Sequence, residues 1–294
     1  MFKHDDTRYL GGNKSSSVVA TKLQGRPRTG INYDKANEFC ANRGDWITMI
    51  DYLEYCALQA LCYIEYANFD NQAALNTNLT SDGFKQGGLG AGVTNLAWDR
   101  WTAFNGNNPI VQTYWTAEHN IGNGSTNGDH YELGNYNTDG SNLNTYPAVY
   151  RGILNFFGDI WTFIRDVVIV NRNANYNSVY LLKKGVNHSD ITIDNIQDKC
   201  YFIGDQVNTN NFITEFDFRF GPYFIPNKVG TNKKADYNSK RGSDGQDTDK
   251  AVRVLLLGGG ASNGSEAGSG GFLSSWVRSD SHAAVGFFTT VKLD

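Results

Sequence analysis

The residues that could do chemistry are few and scattered. Asp129, His130, Tyr131 and Glu132 form the densest titratable cluster outside the C-terminal loops. A carboxylate beside an imidazole can relay protons, but no nucleophile motif accompanies this one and no G-x-S-x-G occurs. A solvated loop is the reading those residues favour. Asp244, Asp247 and Asp249 could present hard oxygens to Ca²⁺, yet no Glu closes the loop in EF-hand order. The histidines His4, His119, His130, His188 and His282 show no H-x-x-x-H spacing and no cysteine pair nearby, so nothing supports a zinc site. Val252–Gly260 runs from strand into glycine, but Gly258, Gly260 and Gly264 give the wrong interval for a dinucleotide loop, and no Lys-Ser/Thr follows for a P-loop. No catalytic residue, metal or cofactor is expected.

What remains is a surface suited to binding. The stretches 227–250, 261–271 and 276–282 mix Asn, Ser, Asp, Lys, Arg, Tyr and Trp. Aromatic anchors beside short adaptable polar groups are the composition of a paratope. The candidate ligand contacts are Asn232, Tyr237, Asn238, Arg241, Asn263, Trp276, Arg278 and His282. Tyr237 and Trp276 would supply buried area, the arginines would pair anionic groups and the amides would read polar partners. Trp276, at a strand end beside a polar loop, is equally readable as core.

Those loops need a frame. With 32 glycines and 5 prolines in 294 residues, the chain reads as rich in turns and short strands. Helices are expected at Tyr33–Arg43, stopped by Gly44, and at Thr48–Asn68, whose Tyr52, Leu53, Cys56, Ala57, Ala60, Leu61 and Ile64 should face a core. Strand candidates are Val111–Thr116, Val149–Arg151, Phe156–Val170, Ser178–Lys183, Phe212–Phe220, Val252–Leu257, Phe272–Trp276 and Ala284–Leu293. Two early helices followed by many short strands predict an α+β fold with large loop insertions. Residues 1–30 read as an extended leader or attachment segment and 31–294 as one domain.

Composition narrows the partners. Hydrophobic residues at 40% and aromatics at 13% are enough for a core. A net charge of -4 and a pI of about 5.7 give no general attraction to nucleic acid or anionic membrane. No apolar run has the length of a membrane span, and Met1–Asp6 lacks the apolar stretch of a secretory signal. Cys40, Cys56, Cys62 and Cys200 include no C-x-x-C pair, so buried free thiols made in a reducing cytosol are expected.

Three ordered segments carry a resemblance. Arg253, Gly258, Gly259, Asn263, Gly264, Ala267 and Gly268, followed by Val285, Gly286 and Phe287, resemble the end of C-type-lectin-fold proteins of the formylglycine-generating-enzyme type. That group includes phage receptor-binding proteins and retroelement-diversified variable proteins. Residues 53–70 (LEYCALQALCYIEYANFD) and 150–161 (YRGILNFFGDIW) are similar to segments of phage tail proteins of this type. The resemblance implies a C-type lectin-like fold but not the oxidase, whose C-terminal half carries a cysteine pair where this chain has Cys200 alone. The calcium motifs of sugar-binding lectins (E-P-N or Q-P-D, and W-N-D) are absent too.

The expectation that follows is a non-catalytic phage virion protein, a tail-fibre tip or relative, that is assembled in the host cytoplasm and acts outside the cell. Its partners would be a bacterial surface receptor (glycan or protein) and other virion proteins, and the resemblance implies a homotrimer. The alternatives are a structural decoration or tail protein, and a surface-glycan depolymerase using Asp129, Glu132, Asp244 and Asp247.

Overall fold

The computed structural model describes residues 30–70, 131–132, 144–145, 149–150, 153–154, 156–158, 160–231, 236–239, 251–260, 263, 266–282 and 285–291. Helix α1 spans Tyr33–Ala41 and is capped by Asn32, whose side chain accepts from the Lys35 backbone N–H. A short strand β1 (Ile47–Met49) comes next, where the sequence predicts the start of the second helix. The reason lies at Asp51 and Glu54. They form a reciprocal capping box that starts α2 at Tyr52 and carries it to Tyr66.

The face of α2 turned to the core matches expectation at Tyr52 and Cys56 and differs at the aliphatic positions. Tyr52, Tyr55, Cys56, Gln59, Cys62 and Tyr63 are buried. Leu53, Leu61 and Ile64 are 49%, 45% and 77% exposed, so an aliphatic stripe faces outward. The helix has two apolar faces, and the sheet takes the aromatic one, whose large rings bury more area per residue.

Four two-residue strands follow: β2 (Tyr131–Glu132) pairs with β3 (Asn144–Thr145), and β4 (Val149–Tyr150) with β5 (Ile153–Leu154). The main sheet is built from β6 (Trp161–Asn171), β7 (Tyr176–Leu182), β8 (Cys200–Val207), β9 (Asn211–Asp217), β10 (Ile225–Gly230), β11 (Tyr237–Ser239), β12 (Val252–Leu257) and β13 (Phe272–Leu273). Its order is β10-β9-β11-β13-β12-β6-β7-β8, with β14 (Val285–Gly286) running parallel to β6. The last strand, β15 (Thr289–Val291), pairs with β1. A short helix α3 (Ile196–Lys199) precedes β8. The architecture is α+β: a curled, mostly antiparallel sheet with few helices. Strands β10 and β11 fall where the sequence predicts a long polar loop, and Val111–Thr116 lies outside the described residues.

Strand β12 shows how the sheet is held. Leu255 and Leu257 pack with Tyr52, Tyr55, Phe156 and Phe272 beneath α2. Val254 and Leu256 pack with Tyr33, Ala36, Met49 and Phe163 beneath α1. The strand is therefore buried on both faces, which is why it reads as an apolar run interrupted only at Arg253. The four cysteines are buried free thiols.

The sheet curls until its two end strands meet. Gly204 in β8 has φ +147°, and a Cβ there would lie 2.7 Å from Ile225 Cδ1 of β10. Only glycine permits that approach. Among the described residues no hydrogen-bonded ladder joins β8 to β10, so side chains line the seam.

Candidate functional site

The described residues of the glycine-rich segment after β12 are bonded to the rest of the fold. Asn263 Oδ1 accepts from Trp161 Nε1 at 3.0 Å and from the Gly260 N–H at 2.8 Å. Buried Asp236, at φ +37°, accepts from the Tyr63 hydroxyl on α2 and from the Gly270 N–H at 2.7 Å. Tyr63 in turn accepts from Gln59 Nε2. A Cβ on Gly268 would collide with the Asp236 carboxylate, so glycine there lets the backbone come close enough for the Gly270 N–H to donate to it. These bonds anchor the described part of the loop to β6 and to α2, and the Asn263 amide oxygen predicted to meet a ligand is engaged by Trp161 and Gly260.

Of the eight predicted ligand contacts, Asn232 and Arg241 lie outside the described residues. Asn238 is corrected outright. It is fully buried, its Oδ1 accepts from Gln206 Nε2, and its Nδ2 donates to the carbonyls of Val207 and Thr209 at 2.8 Å. That amide joins β11 to the end of β8 and cannot reach a surface ligand.

The other five fall into two groups. Tyr237 packs edge-on against Phe212, with centroids 5.2 Å apart. Partial burial, and then the charge of Glu266, push its hydroxyl above the usual phenol range. Glu266 is itself pushed up by burial and hydrogen-bonds the Asn263 side chain, which places Asn263 in this group.

The second group is Trp276, Arg278 and His282, on the segment between β13 and β14. Trp276 is half-buried, edge-on to Phe163 at 6.5 Å and to His282 at 6.2 Å. Its carbonyl accepts from the Val254 N–H, and the preceding Ser275 carbonyl accepts from the buried guanidinium of Arg253. The Arg278 guanidinium lies 3.4 Å from Asp34 on α1. The His282 carbonyl accepts from Gly30 and Val285, and burial lowers the pKa of its imidazole. These three half-exposed residues share one segment, whose backbone is bonded to β12 at Trp276 and to the start of α1 and the residues before it at Arg278 and His282.

Sequence reasoning missed a second concave region at the seam of the curled sheet. An open cleft of about 830 Å³ is lined by Tyr176 of β7, Asp205 of β8, Phe216 of β9, Phe218 beyond it and Asn227 of β10, among others. Each lining carboxylate has a cation: Asp205 with Arg172 at 2.8 Å, Asp217 with Arg219 at 2.7 Å and Glu215 with Lys228 at 2.6 Å. Arg219 grips Asp217 through Nε and a terminal nitrogen and so holds its carboxyl below the usual range. Lys228 and Asn227 do the same for Glu215. The signal was present in residues 216–220 (FDFRF), where rings alternate with charges past the end of β9.

Among the described residues no group of three His, Cys, Asp or Glu side chains is placed to hold a metal, and no helix is long and apolar enough to cross a membrane. Asp129, Asp244, Asp247 and Asp249 lie outside those residues, and Glu132 is placed in its backbone alone. No protein-family model matches the chain, and no curated protein is significantly similar to it.

Proposed function

We propose that this chain is a non-catalytic phage virion protein, of the tail-fibre-tip kind, with a C-type lectin-like fold, and that it recognises the host surface through its C-terminal loops. The carrying observation is the half-exposed pair of Trp276 edge-on to His282, on the same backbone-bonded segment as Arg278, which reaches Asp34 of α1. Side chains held by packing and by bonded backbone lose little entropy on binding, which suits recognition. The lectin-like part of the reading is supported by two early helices, by β1 pairing with β15, and by the compact glycine-rich loop built on Asn263.

A bacterial surface receptor and other virion proteins would be the partners. The outward stripe of Leu53, Leu61 and Ile64 supports self-association, in keeping with a homotrimer. The same stripe favours the second reading, a structural virion protein whose surfaces pack on neighbours.

The test is adsorption of the fluorescently labelled chain to a panel of candidate host bacteria, beside a Tyr237→Ala/Trp276→Ala variant. Binding to particular strains that the folded variant loses supports recognition. Absence of binding to every strain, with incorporation into particles, favours the structural reading.

A further inference from the structure

The cleft at the seam between β8 and β10 belongs to neither group of predicted contacts. It opens where β8, β9 and β10 come together, beside the close approach of Gly204 to Ile225, and no ladder joins β8 to β10 among the described residues. Into it project Tyr176, 42% exposed, and Phe218, 51% exposed. Exposed rings in a concave place, rimmed by polar groups, mark a ligand site. The volume of about 830 Å³ fits a small molecule or a short oligomer.

Charge then selects the ligand class. Asp205, Asp217 and Glu215 are each neutralised by Arg172, Arg219 and Lys228, so the cleft offers no net field to an anion or a cation. It still offers directional groups. Asp217 is closed, because Arg219 donates twice to each of its oxygens, but Asp205 and Glu215 keep lone pairs beyond their bonds to Arg172, Ser178, Lys228 and Asn227, and the Asn227 amide keeps its oxygen as an acceptor. Aromatic faces beside planar hydrogen-bonding groups complement an uncharged, polyhydroxylated ring: C–H edges lie on the rings and hydroxyls donate to the carboxylates.

We propose that this cleft binds a neutral saccharide. Glycoside hydrolysis needs a carboxylic acid whose pKa is raised so that it can protonate the leaving oxygen, whereas Asp217 and Glu215 are both held down by their cations.

The experiment is saturation-transfer NMR on the full chain. The neutral probes are maltohexaose, mannohexaose and galactohexaose, with hexagalacturonate and a chitosan hexamer as charged probes. At least one neutral probe should receive saturation. Its affinity should fall at least tenfold in Tyr176→Ala and in Phe218→Ala, both surface changes that leave the fold intact by circular dichroism. Tyr201→Ala, which removes an exposed ring outside the cleft, should change nothing. Saturation of charged probes alone, of no probe, or of neutral probes equally in all variants would overturn the proposal. The loop reading is tested separately: host adsorption lost in Trp276→Ala with saccharide binding intact would uphold both sites, and adsorption absent with saccharide binding present would uphold the cleft alone.

Discussion

Two buried titratable groups, one in each half of the core, should pull stability in opposite directions across the same pH range. Asp166 lies on β6, where its carboxylate accepts from the Tyr52 N–H at the start of α2. Burial first, and then the nearby charge of Asp51, raise its pKa from 3.8 to about 6. His188 sits under α1, with Nε2 3.2 Å from the Arg253 carbonyl and its ring 5.1 Å from that of Tyr33. A carbonyl can only accept, so Nε2 carries the proton of the neutral imidazole. Burial lowers the His188 pKa from 6.5 to about 4.

The signs follow from which state holds the proton. Folded Asp166 holds it more tightly than the unfolded chain, so its contribution is complete below pH 3.8 and is lost as pH rises through about 6. Folded His188 holds it less tightly, so its contribution is complete above pH 6.5 and is lost as pH falls through about 4. At about 1.4 kcal/mol per unit, each shift corresponds to at most about 3 kcal/mol. Because the two nearly cancel, the wild type should have a shallow profile between pH 4 and 6.5.

Urea unfolding at half-unit intervals should separate them. His188→Gln, which keeps a donor near the Arg253 carbonyl, should lose on the order of 2–3 kcal/mol of stability relative to its own value at pH 4 as the pH reaches 6.5. Asp166→Asn should gain a similar amount over the same range. Other carboxylates, including the paired Asp217, titrate alike in all three proteins and drop out of the differences. Two variant profiles that both run parallel to the wild type would refute the reasoning.

Other consequences follow from the same contacts. Asp236→Ala removes the acceptor for both Tyr63 and Gly270 and leaves two buried donors unmet. It should cost about 2–4 kcal/mol, read as a fall of roughly 5–15 °C in Tm; a change below 2 °C would show that the glycine-rich loop is held by other means. Leu61→Glu/Ile64→Glu alters only the outward stripe of α2, so it should lower the mass seen by light scattering while leaving the circular dichroism unchanged. An oligomer of unaltered mass would take self-association away from that face.

Much of the frame was legible in the sequence, and the exceptions have physical causes. Strand β12 was predicted with its observed ends, because burial on both faces leaves no polar residue to blur it except Arg253, which donates to a backbone carbonyl. The stripe on α2 was right at Tyr52 and Cys56 but wrong at Leu53, Leu61 and Ile64, because the helix carries apolar residues on both sides and periodicity alone does not choose between them. Strand β11 is three residues of Tyr-Asn-Ser, with no apolar alternation to read. It exists because β9 and β13 accept it, and those pairings are long-range. Asn238 was placed among the ligand contacts for a similar reason: an amide that bridges buried strands has the same letter as one that meets a ligand. The run FDFRF at 216–220 signalled rings beside charges, but not that they line a cleft, because β8 and β10 meet only in the folded sheet and a single glycine in a strand does not announce its partner.

The account stands or falls on whether the C-terminal segment meets a host surface. The direct measurement is flow-cytometric adsorption to one bacterial panel of the wild-type chain, Trp276→Ala/Arg278→Ala, and Tyr176→Ala/Phe218→Ala, each first shown to be folded. The account predicts strain-selective binding by the wild type that falls at least tenfold when Trp276 and Arg278 are truncated. Binding undiminished in that variant, or absent from every strain in the wild type, would contradict it.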